Sequence, residues 1–210
     1  MPKQSIEIEK IIKGFFSAIK GYLIIAGIVL LLIIISFKSC FVYVKPNEYG
    51  IRQINVGIQT GIQNKKYETG YHFIVPFGLH LMHKFPRNIQ VFELTDHSTS
   101  AAAGARKEKA AHIQTSDGFY VDVDVSILYR ISDPYKTITT IGPGRLYEDN
   151  GIIPKVEPKL KEALGELTTE EFFNSPLRVN KAQKAKDLLN TELFPKGITV
   201  EHILIRYFKY

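Results

Sequence analysis

Only one cysteine, Cys40, occurs in the 210 residues, which excludes an intramolecular disulfide and any zinc site built from several cysteines. A block of like charge is also missing. The formal net charge is +6 and the pI near 9.2, yet Lys and Arg are interleaved with Asp and Glu, so little points to a nucleic-acid surface. His80 and His83, in Leu79-His-Leu-Met-His-Lys84, lack the glutamate that zinc proteases place beside the first histidine, since Leu81 stands there. They read as part of a solvated loop between strands. Gly142-Pro-Gly144 lacks the spacing and the lysine of a phosphate loop and reads as a turn. No residue is left to nominate for catalysis, cofactor binding or metal binding, and the chain reads as a non-enzyme.

The longest absence of charge carries the most information. Residues 21–37 hold no Asp, Glu, Lys or Arg, and Tyr22, Leu23, Ile24, Ile25, Ile28, Val29, Leu30, Leu31, Leu32, Ile33, Ile34, Ile35 and Phe37 read as a membrane anchor. About 17 helical residues cover only ~25 Å of a hydrocarbon core ~30 Å thick. The flanks make up the difference: Phe15, Phe16, Phe41 and Tyr43 suit the interfaces, and Lys20 and Lys38 reach toward headgroups. The aliphatic and aromatic residues together favour insertion by about 4 to 7 kcal/mol. A cleaved signal peptide would need small residues near its end, which Ser36-Phe-Lys-Ser-Cys40 does not offer. A helix buried in a soluble body would show a polar face, and this one shows none.

Lys3, Lys10, Lys13 and Lys20 precede the segment, and Lys38, Lys45 and Arg52 follow it. The balance leans toward a cytoplasmic N-terminus, with the body on the opposite side as in a bacterial inner-membrane protein. Upstream, Ile6, Ile8, Ile11, Ile12, Phe15, Phe16 and Ile19 have partly helical spacing. That tail, residues 1–20, reads either as an interfacial helix or as the early start of the membrane helix.

After the 21–40 span, residues 41–95 read as a strand-rich unit. Phe41-Val-Tyr-Val44 runs into the turn Lys45-Pro-Asn-Glu-Tyr-Gly50 and returns as Ile51-Arg-Gln-Ile-Asn-Val56, which predicts a hairpin. Tyr67-Glu-Thr-Gly-Tyr-His-Phe-Ile-Val-Pro-Phe77 and Asn88-Ile-Gln-Val-Phe-Glu-Leu94 supply further strands. Residues 96–111 read as a flexible loop, with a short helix from Ala105 to Ala111 as the second choice.

Residues 112–210 read as a mixed α/β unit. Strict alternation from Phe119 to Ile131 predicts a long half-buried strand, paired through the Asp117-Gly118 turn with His112-Ile-Gln-Thr115. Asp122 and Asp124 share its polar face, which reads as solvated or as meeting a neighbouring Arg or Lys. Helical spacing follows at Ile153, Val156, Leu160, Leu164 and Leu167, with Pro158 at a start or a kink. Thr168-Thr-Glu-Glu171 has capping-box spacing, and Ser175-Pro176 opens a helix with Val179, Ala182, Ala185, Leu189 and Leu193 on one face. Lys181, Lys184 and Lys186 fall on its exposed side, and Ile198 to Phe208 closes as a strand.

This order of elements resembles the SPFH or band-7 family of stomatins, prohibitins, flotillins and Hfl-type protease regulators. The resemblance is carried by Val44-Lys-Pro-Asn-Glu-Tyr-Gly50, Gly70-Tyr-His-Phe-Ile-Val-Pro-Phe77, Thr115-Ser-Asp-Gly118 with its alternating strand, Tyr147 to Pro154, Leu167-Thr-Thr-Glu-Glu171 and Gly197-Ile-Thr-Val200. Thr69 stands where family members often have proline. The resemblance implies an α+β fold: a transmembrane helix, then an SPFH domain of two subdomains resting on membrane lipid, with a coiled coil after Tyr210. It further implies a scaffold that self-associates with other SPFH chains to organise a membrane patch and restrain a partner such as an AAA protease or channel. The alternative it leaves is a dedicated regulatory subunit of such a partner without large self-assembly.

Overall fold

In the computed structural model, residues 3–97 and 105–210 are described, with side chains from residue 21 onward. The tail and the apolar segment form one helix, α1 (Lys3–Cys40), so residue 21 marks a change of composition and not a break. The apolar window is Gly21–Cys40, 20 residues, or ~30 Å at the helical rise. The shortfall of the uncharged segment disappears because the residues after Phe37 are helical as well.

β1 (Phe41–Val44) follows α1 without an intervening residue and pairs antiparallel with β4 (Gly70–Phe73). The expected hairpin between β1 and β2 (Glu48–Ile54) does not form. Instead β2 lies between β3 (Gly61–Tyr67) and β5 (His80–Pro86) in a three-stranded sheet. Both edges of β2 find longer partners than the four residues of β1. His80 and His83 accordingly lie on a strand and not in a loop.

The largest sheet, of five strands, is built around β9 (Tyr120–Ile131), which pairs with β10 (Ile198–Lys209) on one side and with β6 (Gln90–Leu94) and β8 (Ala111–Gln114) on the other. β6 was grouped by sequence with the first strands, but it hydrogen-bonds into this five-stranded sheet. β7 (Arg106–Glu108) runs parallel to β6, so neither loop nor short helix describes those residues. So short a helix is costly to nucleate, whereas the edge of β6 offers ready partners. The rest of the loop reading, residues 98–104, lies outside the described residues.

Helices α3 (Ile153–Leu164) and α4 (Ser175–Leu193) cover one face of this sheet. Val121, Val123, Val125, Ile127, Tyr129 and Ile131 meet Leu160, Leu164, Ala185, Leu189 and Leu193 in a fully buried layer. Ile51 and Phe85, from the three-stranded sheet, belong to the same cluster, so the two sheets share a core. Pro158 sits inside α3 and leaves the Pro154 carbonyl without its helical donor. Thr168 and Glu171 do make the reciprocal bonds of a capping box, at 2.9 and 3.2 Å, but they cap a single 3-10 turn, Glu171–Phe173. α4 is capped by Asn174, and its expected apolar face loses Val179, which is 63% exposed.

α2 (Pro134–Thr140) was not anticipated; the Asp133 carboxylate caps it by accepting the Tyr135 and Lys136 amides. Where β9 ends and β10 begins, the amides of Ser132 and Asp133 both donate to the Gly197 carbonyl, at 2.9 and 3.0 Å. Gly197 has φ +81°, and a Cβ there would lie 2.2 Å from the Asp133 carbonyl oxygen, so only glycine fits this crossing.

Between the sheets, Glu148 is buried on a π-helical turn, Tyr147–Ile152. Its Oε1 accepts the hydroxyls of Tyr129 at 3.0 Å and Tyr147 at 3.3 Å, and its Oε2 accepts Arg145 Nε at 3.0 Å. Burial first, and then the neighbouring acidic groups, pushes both phenols above their ordinary value, so they remain donors. Glu148→Ala strands two buried hydroxyls and should destabilise the body by about 2 to 4 kcal/mol. Glu148→Gln keeps one acceptor and should cost less, as denaturant unfolding of the detergent-solubilised chain would measure.

Glu166 joins α3 to α4 by accepting from Lys181 Nζ at 2.5 Å and from Lys184 Nζ. The Lys181 and Lys184 ammonium groups hold its carboxyl down at about 2. A depressed folded value means that the contribution is complete above the unfolded value near 4.5 and is lost as pH falls toward 2. The stability gap between wild type and Glu166→Gln should therefore be present at neutral pH and close through that acidic window. A gap that does not change with pH would remove the ion pairs from the account.

Candidate membrane-facing site

Each anchor residue nominated from sequence, Tyr22 through Phe37, falls on α1 with roughly half or more of its surface open. None of the window is buried by the chain itself. A helix apolar on every side, carrying no cover of its own, is satisfied in hydrocarbon and not in water.

The exit of the helix is ringed by aromatic residues. Phe41 stacks on Phe37 at 4.7 Å between ring centroids and meets Phe73 edge-on at 5.7 Å; Tyr43 lies 5.0 Å from Tyr71. The Phe41–Phe73 and Tyr43–Tyr71 contacts follow from the β1/β4 register, which sets those residues opposite each other. Phe41 and Tyr43 were expected at the interface; Phe73 and Tyr71 complete the ring from the partner strand. Aromatic rings of this kind are favoured where hydrocarbon gives way to headgroups.

Two loops extend from the same end. β4 runs antiparallel to β1 and therefore back toward α1, and the Ile74 amide donates to the Cys40 carbonyl at 2.8 Å. The turn after Ile74 carries Phe77, 95% exposed with φ +61°. Positive φ at a bulky residue is unfavourable by about 1 kcal/mol, and here it projects the ring outward. The Asn55 side chain donates to the Gly78 carbonyl at 2.7 Å and its amide to the Leu79 carbonyl at 2.8 Å, which sets the β2–β3 loop beside this turn. That loop exposes Val56 and Ile58. Sequence reasoning missed these tips, and the available signal was an apolar residue alone in a turn: Phe77 between Pro76 and Gly78, Ile58 after Gly57.

Residues 42–210 match the family described as SPFH domain / Band 7. The chain belongs to that family. A comparison with curated proteins finds no match. The matched region begins one residue after β1 does, and the apolar helix ends at Cys40, just before β1; one helix of this length and composition fits a single-pass membrane protein.

Within the SPFH domain the polar residues singled out by sequence are dispersed. His80 Nδ1 accepts the Val75 amide at 3.3 Å, whereas His83 Nε2 meets Gln53 Oε1 at 2.7 Å. Burial lowers the His83 pKa. Three residues apart on a strand, the two rings point to opposite faces. Asp122 and Asp124 each engage a histidine, His112 at 2.6 Å and His97 at 2.9 Å, with Thr95 also donating to Asp124 at 2.6 Å, and Lys209 stands opposite Asp122 across the β9/β10 pair. Cys40 ends α1 as a free thiol. Among the described residues, no group of three or more His, Cys, Asp or Glu side chains is placed to hold a metal.

The chain has no tryptophan, so Phe77→Trp gives a probe without background. In vesicles whose lipids are brominated near the headgroup end of the acyl chain, its fluorescence should be strongly quenched. Emission as red-shifted and unquenched as that of a fully hydrated indole would place the loop tips in water.

Proposed function

We propose that this chain is a membrane-anchored, non-enzymatic scaffold that self-associates laterally, organising a patch of membrane and restraining a membrane protein partner such as an AAA protease or channel. The observation that carries this reading is the direct join of α1 to β1, Cys40 to Phe41, with no linker residue between them. A body so joined is held against the bilayer in one orientation. Its effective concentration for neighbours in the same plane is raised accordingly. Family membership adds support, since band-7 proteins are in general membrane scaffolds. In this reading residues 1–20 form a tail, residues 21–40 the anchor with Tyr22 to Phe37 in lipid, and the remainder the SPFH body. The N-terminus is cytoplasmic and the body lies on the opposite side.

Chemical cross-linking in native membranes tests the proposal. A laterally assembled scaffold gives a ladder of self-linked products. A dedicated regulatory subunit gives one heterologous band. A chain that remains monomeric both in the membrane and after mild detergent extraction would overturn the scaffold reading.

A further inference from the structure

β10 is the outer strand of the five-stranded sheet, pairing along its length with β9 and, among the described residues, with no other strand. Its second edge faces α4. At Val200 that edge is closed: the Asn190 side chain accepts the Val200 amide at 2.8 Å and donates to the Val200 carbonyl at 3.0 Å, standing in for a neighbouring strand. The bulge between Val200 and His202 preserves the phase beyond it, so Ile203 and Ile205 present their amides and carbonyls outward as Val200 does. Among the described residues, no backbone group other than those of β9 bonds to this stretch. A second bulge, between Ile205 and Tyr207, kinks the strand beyond this stretch.

Beside the open stretch, α4 stands off from the strand. Its C-terminal half is packed down through Ala185, Leu189 and Leu193, all fully buried, whereas its N-terminal half presents Val179 with small Ala182 beneath. The result is a groove of about 300 Å³. Val179, Ala182 and Lys186 share one helix face along its wall, and Ile203 to Ile205 form the other side. The lining contains Arg178, Lys186 and His202 and no Asp or Glu. Arg178 is held in place by the Phe172 carbonyl and the Phe208 ring.

We propose that this groove receives an extended acidic segment of another protein, which adds to β10 as a strand at Ile203–Ile205 and sets an acidic side chain against Lys186. The unpaired backbone edge calls for an extended chain, because only another strand satisfies a row of outward amides and carbonyls. Val179 and Ala182 supply the apolar wall for alternate side chains. Charge selects among extended chains: the groove is basic, and so is the whole chain at +6, which disfavours a second copy as the occupant. The site is separate from the membrane-facing end and does not depend on lateral self-assembly.

The full chain in lipid nanodiscs, titrated with a short fluorescein-labelled peptide of alternating Glu and Val, tests the proposal by fluorescence anisotropy. Saturable binding is expected, with slowed hydrogen exchange at the Ile203 and Ile205 amides. Binding should weaken by about tenfold or more in Lys186→Glu. It should be lost when the peptide amides facing β10 are N-methylated. Val179 and Lys186 are surface residues, and circular dichroism of each variant verifies its fold. The proposal is overturned if no saturable binding occurs, if the N-methylated or a Lys–Val peptide binds as well, or if Lys186→Glu changes nothing. Val179→Glu dispersing cross-linked oligomers of the chain while leaving peptide binding intact would assign the groove to a second copy, and would overturn it too.

Discussion

The carbonyl of Cys40, the last residue of α1, accepts the amide of Ile74 at 2.8 Å, and most of what this molecule can do depends on that join. The bond lies at the point where β1 meets β4, so the membrane helix leads into a paired strand with no free backbone between them. A flexible linker would let the body tumble above the bilayer and present any face to a neighbour. Here the direction of α1 sets the direction of β1, and the aromatic contacts of Phe37, Phe41 and Phe73 stiffen the corner. Phe77 and Ile58 project from the same end as exposed apolar tips, set apart from the helix exit. Fixed orientation is what the proposed lateral assembly requires of the tethered domain.

That orientation reaches the far side of the molecule because the two sheets do not form independent units. Ile51 and Phe85, from β2 and β5, are fully buried in the same cluster as the β9 layer. Phe85 lies 6.1 Å from the Tyr147 ring, whose hydroxyl is bonded to Glu148. Apolar packing supplies most of the cohesion at this joint, while the buried carboxylate, with its two phenols and one guanidinium, fixes the geometry of the contact. At the other end of β9, the Gly197 crossing locks the start of β10 against Ser132 and Asp133. The path from membrane helix to outer strand therefore runs through packed or hydrogen-bonded elements throughout.

The apolar helix was legible because a charge-free stretch of helical length is a local property, and β9 was legible because strict alternation survives in any context. What failed was pairing. The Pro46-to-Gly50 turn announces a reversal of the chain but not which strand will lie beside which, and β1 went to β4 while β2 took β3 and β5. β5 was invisible for a related reason: His-Leu-Met-His-Lys-Phe-Pro neither alternates nor favours strand, and the edge of β2 imposes its conformation. Arg106–Glu108 became a strand in the same way. Helical spacing set Val179 on one face with Ala182 and Leu189, yet Val179 is exposed where they are buried, because spacing says nothing about what covers a face. The family resemblance, carried by the order of short motifs, was sound where individual strand partners were not.

The exposed outer strand remains the least expected feature of the architecture. An edge strand of 12 residues carrying Ile203, Leu204, Ile205 and Phe208 invites uncontrolled pairing. Proteins usually blunt such an edge along its whole length. This one does so selectively: Asn190 caps it at Val200, and bulges interrupt it on both sides of Ile203–Ile205. Between those interruptions the ladder is left open, with a basic rim that turns away chains of like charge. Capping the edge at Val200 and kinking it on both sides of a short, charge-filtered opening narrows what can add there to a short extended segment of opposite charge. A defect in edge protection would not be bounded at both ends by separate devices, whereas a binding edge needs such bounds to fix the register of what it binds.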